Sequence, residues 1–203
     1  MNARDAILGK LRAPVPVDLA AQAAALVAGT ERPPEPAGSL IERFAARLAG
    51  ASVSATLDRI DDTGALPDAV RRYLAAHALP VALYLPPDAG VTTLDWRGFR
   101  IDSVAASDQV AALAVANAGV AESGSLVFET GPKAPMLPNF LTLHHIVVLA
   151  ADAVVATLEE IPADLAGHRS HYWVTGVSGT TDIEGQYVRG AHGPRFLHVV
   201  LIG

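Results

Sequence analysis

Between residues 178 and 194 the sequence gathers the hydroxyls of Ser178, Thr180 and Thr181, the carboxylates of Asp182 and Glu184, and the imidazole of His192. His192 sits in a run of Gly190, Ala191, His192, Gly193 and Pro194, a tight turn that holds a histidine near the surface. Such a histidine can act as a general acid, a general base or a ligand. Two carboxylates beside hydroxyls suit a hydroxyl, an amine or a cation better than a bare anion. Thr181 and Glu184 have the spacing of a capping box, which predicts a short helix over residues 181–188 with Asp182 in its first turn. Ser178, Gly179 and Thr180 then fall in a loop between a strand and that helix. In open α/β sheets ligands bind at strand ends of this kind, and a helix start offers unpaired N–H groups.

A second group is Glu122, Ser123, Gly124 and Ser125, just ahead of an apolar run. Glu122 can serve as base or carboxylate nucleophile, and Gly124 allows a ligand to approach the backbone. The bland alternative is a polar turn entering a strand. His144 and His145 precede an apolar run, and adjacent strand residues face opposite ways, so at most one reaches a given site. His168 and His171 share an H-x-x-H spacing in a polar loop. A metal needs three or four converging ligands. Glu122, His145, Asp182 and His192 would supply them only if the fold brought them together, and no metal or cofactor is expected. No nucleophile elbow, phosphate-binding lysine loop or dinucleotide fingerprint is present.

The elements that must position these residues alternate between helix and strand. Ser39 and Glu42 form a capping box ahead of a stripe of Leu40, Ile41, Phe44 and Leu48. Residues 66–77 read as an amphipathic helix with Pro67 in its first turn. Residues 52–57, 81–85, 126–128, 146–149, 172–175 and 196–202 read as strands, as does the second half of 110–115. The expected fold is α/β, an open, largely parallel sheet with flanking helices. Residues 1–38 are expected to form an N-terminal arm of two short helices and a proline-rich linker, lying over the main body or a partner. The α/β domain is expected to span residues 39–203.

The chain's 203 residues are long enough for a substantial core. A net charge of −6, with scattered basic residues, gives no footprint for nucleic acid and disfavours anionic membrane. There is no cysteine, which removes disulfides, thiolate metal sites, a cysteine nucleophile and ordinary iron–sulfur ligation. The first residues lack an apolar signal region. No apolar run is long enough for a membrane helix, and a cytoplasmic location is expected.

Taken in order, these residues resemble the LUD-domain family, and within it the lactate utilization C proteins. The resemblance rests on residues 119–127, on His145 with the apolar run behind it, on Ser178 to Glu184, and on Gly190 to Pro194 before a last strand. It implies a fold similar to the sugar-phosphate isomerase and CoA-transferase-like superfamily. It also implies a part in oxidising lactate to pyruvate, with iron–sulfur proteins as partners. This chain, without cysteine, would be the accessory component, binding a small ligand or partner at a crevice of Glu122, Ser178, Asp182 and His192. Ser123, Gly124, Ser125, Thr180 and His145 are the further candidate ligand contacts. The alternative is an acyl-transfer enzyme similar to the CoA-transferases, with Glu122 as nucleophile. Two positions depart from the family pattern: Val177 replaces a proline, and Gly179 replaces a polar residue. The arginine expected among residues 133–143 is missing.

Overall fold

The computed structural model describes residues 3–11, 18–28, 34–106, 108–162 and 169–203. Pro14, Pro16, His168 and part of the expected linker lie outside them. The chain divides into two compact units, Met1–Pro36 and Ala37–Gly203. The first holds helices α1 (Ala3–Leu11) and α2 (Leu19–Ala28). Alanine gives α2 high helix propensity, but no residue of it is buried.

The second unit opens with α3 (Leu40–Ala49). Ser39 Oγ accepts the Glu42 N–H at 3.3 Å, and the Glu42 carboxylate accepts the Ser39 N–H at 2.7 Å. The box therefore starts the helix, and the apolar stripe behind it buries Phe44 and Leu48 completely. Burial of this kind contributes about 1.5–3 kcal/mol per large apolar side chain. Next come β1 (Thr56–Ile60), α4 (Leu66–Ala76), β2 (Ala82–Tyr84), α5 (Ala89–Thr92), β3 (Arg100–Asp102) and β4 (Ala111–Val115). A tight pair, β5 (Ala118–Val120) and β6 (Ser125–Glu129), precedes α6 (Pro138–Leu141) and β7 (His144–Ala150). The chain continues through β8 (Val154–Val155), β9 (His171–Val174), β10 (Gly179–Thr181), β11 (Tyr187–Arg189) and β12 (Phe196–Ile202).

Six strands form a parallel sheet in the order β1-β12-β7-β4-β2-β3. Central strands covered on both faces must be apolar throughout, which is why residues 146–149 and 197–201 are buried without alternation. One face packs on α4 through Ile146, Val148 and Val200. The other packs through Val147, Leu149 and Val199 on α3 and on a second sheet, ordered β8-β5-β6-β9. The largely parallel sheet is as expected, and beside it stands a second sheet that was not: residues 126–128 and 172–174 are strands that pair antiparallel with each other, while Thr175 lies just past the strand end. Apolar runs identify strands without saying which sheet they join.

The helix expected over residues 181–188 is not formed. β10 and β11 pair antiparallel, Thr181 opposite Tyr187. Asp182 Oδ1 accepts the N–H groups of Glu184 at 2.9 Å and Gln186 at 2.8 Å. The carboxylate thus closes a turn from inside, a competing use of the same hydrogen-bonding capacity that caps helices.

Candidate functional site

His145 is the second residue of β7, and Leu197, its register partner, the second of β12. Alternation turns His145 toward the second sheet, on the side of Val147 and Leu149. There it is wholly buried, its ring 5.9 Å from that of Phe128 and stacked on it. Among the described residues neither ring nitrogen has a hydrogen-bond partner. Burial holds the imidazole neutral, its pKa pushed down to about 3. A neutral imidazole carries one donor and one acceptor, and leaving both buried and unpaired is costly.

His145 borders a cavity of about 220 Å³ whose other walls include Ser178, His192, Thr175, Asn139 and Trp173. Ser178 is held there by its backbone: its N–H donates to Pro194 O at 2.8 Å, and its carbonyl accepts the Gly190 N–H at 2.8 Å. These bonds tie the histidine turn to the chain leaving β9. Gly193 permits the approach, because a Cβ there would lie 3.1 Å from both Cβ and Oγ of Ser178. Among the lining residues there is no lysine or arginine. The lining offers hydroxyls, imidazoles and an amide, groups that can hydrogen-bond the hydroxyl, carbonyl or carboxylate of a small molecule without a fixed positive charge.

The sequence-predicted residues therefore separate. His145, Ser178 and His192 come together. Ser125 is buried one hydroxyl away: its Oγ lies 2.6 Å from Thr175 Oγ1 and 2.8 Å from Ser123 Oγ. Glu122, Ser123, Gly124, Thr180 and Asp182 do not line the cavity. Glu122 accepts the Leu158 N–H at 2.7 Å, so its carboxylate fastens the turn after β5 to the turn at Leu158–Glu160. The space beside Gly124 is occupied by Arg47 and Val53: a Cβ would meet them at 2.9 and 3.2 Å. The close approach is protein against protein, not ligand. Thr180 and Asp182 are exposed in the hairpin. The cavity also opens at the amino ends of β7 and β12, not at the strand-to-helix loop expected. Thr175 and Asn139 were missed as site residues. Thr175 is expected as the last residue of a strand and in fact follows β9, and Asn139 has no signal beyond its place between two motifs. Among the described residues, no group of three or more histidines and carboxylates is placed to hold a metal.

Residues 103–202 match the LUD domain family model. A lactate utilization protein C from Deinococcus radiodurans is 33% identical over 93 residues, which is 41% of this chain and 42% of that protein. The chain thus matches less than half the length of that relative. A solved structure of a DUF162 family protein from Deinococcus radiodurans superposes with a TM-score of 0.61 at 18% identity, over 84% of this chain and 100% of that one. This last likeness shows the α/β fold. Residues 103–202, just under half of the chain, are thus similar to the LUD domain family.

Proposed function

We propose that this chain is an accessory, non-iron–sulfur component of a lactate utilization system, and that its His145 cavity binds a small hydroxy or keto acid. The family relative's name supports the system. The observation that carries the site is a buried imidazole with both nitrogens unpartnered among the described residues, in a residue that borders the same cavity as Ser178 and His192. A hydroxyl or carbonyl on the ligand would satisfy the two nitrogens in turn, and Ser178, Thr175 and His192 would take the remaining polar atoms. A volume of about 220 Å³ is below the usual range for drug-sized ligands, about 300–1,000 Å³, and suits a molecule of few heavy atoms. With no cysteine in the chain, redox clusters would belong to separate iron–sulfur partners. Among the described residues no helix is long and apolar enough to cross a membrane, and we place the assembly in the cytoplasm.

Calorimetric titration of the whole chain with lactate and pyruvate tests the site. Binding that weakens about 10-fold in Ser178→Ala, a loss of about 1.4 kcal/mol, is the expected result. No heat with either acid removes the ligand assignment. Co-purification with iron–sulfur proteins encoded by the same organism tests the system separately. Intact lactate oxidation after deletion of this chain would end that reading.

A further inference from the structure

A second and larger cavity, about 420 Å³, lies at the carboxyl ends of the parallel strands. Tyr84 and Pro86 border it where the chain leaves β2, and Ala114, Ala116 and Asn117 where it leaves β4. The connection from β2 runs through α5 to β3 on one side; the connection from β4 leads to β7 on the other. Neighbouring parallel strands whose connections depart in opposite directions leave a crevice outside their carboxyl ends, where ligands bind in open α/β sheets. The small side chains of Ala114 and Ala116 leave room in it. The facing loop is closed by paired backbone bonds, Gly131 N–H to Ala134 O at 3.2 Å and Ala134 N–H to Gly131 O at 3.1 Å. Pro132 and Pro135 stiffen it further, so the crevice is preformed rather than assembled by a ligand.

Its charged groups are of both signs: Asp88, Glu129 and Lys133. Asp88 is fixed by accepting the Gly90 N–H at 2.7 Å. Glu129 is fixed by Asn117, whose Oδ1 accepts the Glu129 N–H at 3.0 Å and whose Nδ2 donates to Oε2 at 3.4 Å. The inner wall is aromatic and small, with Phe128, Tyr84 and Tyr172. A bare anion would meet two carboxylates. A bare cation would meet the ammonium of Lys133. A neutral apolar body would desolvate all three without return. We propose that this cavity binds a small zwitterion with an apolar body, the chemistry of an apolar α-amino acid. Its ammonium lies toward Asp88 and Glu129, its carboxylate toward Lys133, and its side chain against Ala114, Ala116 and Phe128. The site uses none of His145, Ser178 and His192, although Asn139 borders both cavities, and it does not rest on the lactate reading.

The test is calorimetric titration of the whole chain with leucine and phenylalanine, with isoamylamine and isovalerate as counterparts carrying one charge each. The amino acids should bind, and either single-charge compound should bind ~10-fold more weakly or not at all. Lys133 is exposed, so Lys133→Glu should keep the melting temperature and weaken the amino acids by a similar factor. Ser178→Ala should leave them unchanged. Four results would overturn the proposal: no heat with either amino acid, equal affinity for a single-charge counterpart, binding indifferent to Lys133→Glu, or binding lost in Ser178→Ala.

Discussion

His144 and His145 are neighbours on β7, yet they occupy opposite faces of one sheet in different ways. His144 faces α4, where Tyr73 OH lies 2.9 Å from its Nδ1 and the Phe196 ring stacks on it at 4.4 Å. Beside it, His198 Nδ1 lies 2.8 Å from Thr56 Oγ1, and its ring stacks on Tyr73 at 4.2 Å. That face uses its histidines as packed core, each bonded through Nδ1, with the buried His198 Nε2 left without a partner among the described residues. His145, on the other face, is more deeply buried and has no hydrogen-bond partner among the same residues. The same residue type, one position apart, is thus a stabilising element on one side and an unmet hydrogen-bonding demand on the other. His145 alone of these two combines two unpartnered nitrogens with a place on a cavity wall, and that combination points to the site.

The largest effect of a single substitution should come from breaking the packed face. Tyr73→Ala removes the stack on His198 and the bond to His144, and should cost about 3–5 kcal/mol in urea unfolding. Ligand binding by the remaining folded protein should be retained. Loss of binding in step with stability would mean the two faces are not independent.

Acid should act next. Burial lowers the pKa of His144 and His198 to about 4; at His198 the Asp58 charge pulls upward, ahead of a smaller lowering by His77, which also acts on His144. In the unfolded chain these groups titrate near 6.5. The folded value is the lower one, so their contribution is complete above about pH 6.5. It falls as the pH drops toward 4, because the unfolded chain takes up protons first. Each histidine adds a slope of up to about 1.4 kcal/mol per pH unit. A series of denaturation curves between pH 7 and 4 reads it, and a flat profile would show that these rings are not held neutral.

A gentler cut at the same place is Tyr73→Phe. It leaves His144 Nδ1 without its partner and should cost about 1–3 kcal/mol. The smallest expected effect is at the hairpin. Asp182→Ala removes the acceptor of two backbone N–H groups and should loosen residues 179–189 in hydrogen exchange, while global stability changes by less than about 1 kcal/mol. Acid binding should persist, since Asp182 does not line the cavity. A lost site would return Asp182 to the binding set.

Much of this arrangement was legible before any coordinates. The Ser39–Glu42 box, α4 and the buried strands announced themselves through capping chemistry and apolar runs. Ser178, His145 and His192 were recognisable as residue types at informative spacings. What failed was long-range placement. Glu122 looked catalytic because of its neighbours, but its partner, the Leu158 backbone, is far along the chain and carries no side-chain signal. The Thr181–Glu184 spacing fits both a helix cap and a carboxylate-closed turn, and only the pairing of β10 with β11 decides between them. The unpartnered state of His145 depends on what the second sheet brings over β7, which no local pattern encodes.

The central claim is that His145 is kept for a ligand and at some expense to the fold. His145→Leu tests it with two readouts on one protein. Leucine fills the space without buried polar atoms, so the melting temperature should hold or rise while lactate and pyruvate binding disappears. A variant that instead melts well below the parent, or that binds both acids as the parent does, would show that His145 is a structural residue and that the cavity is not the site.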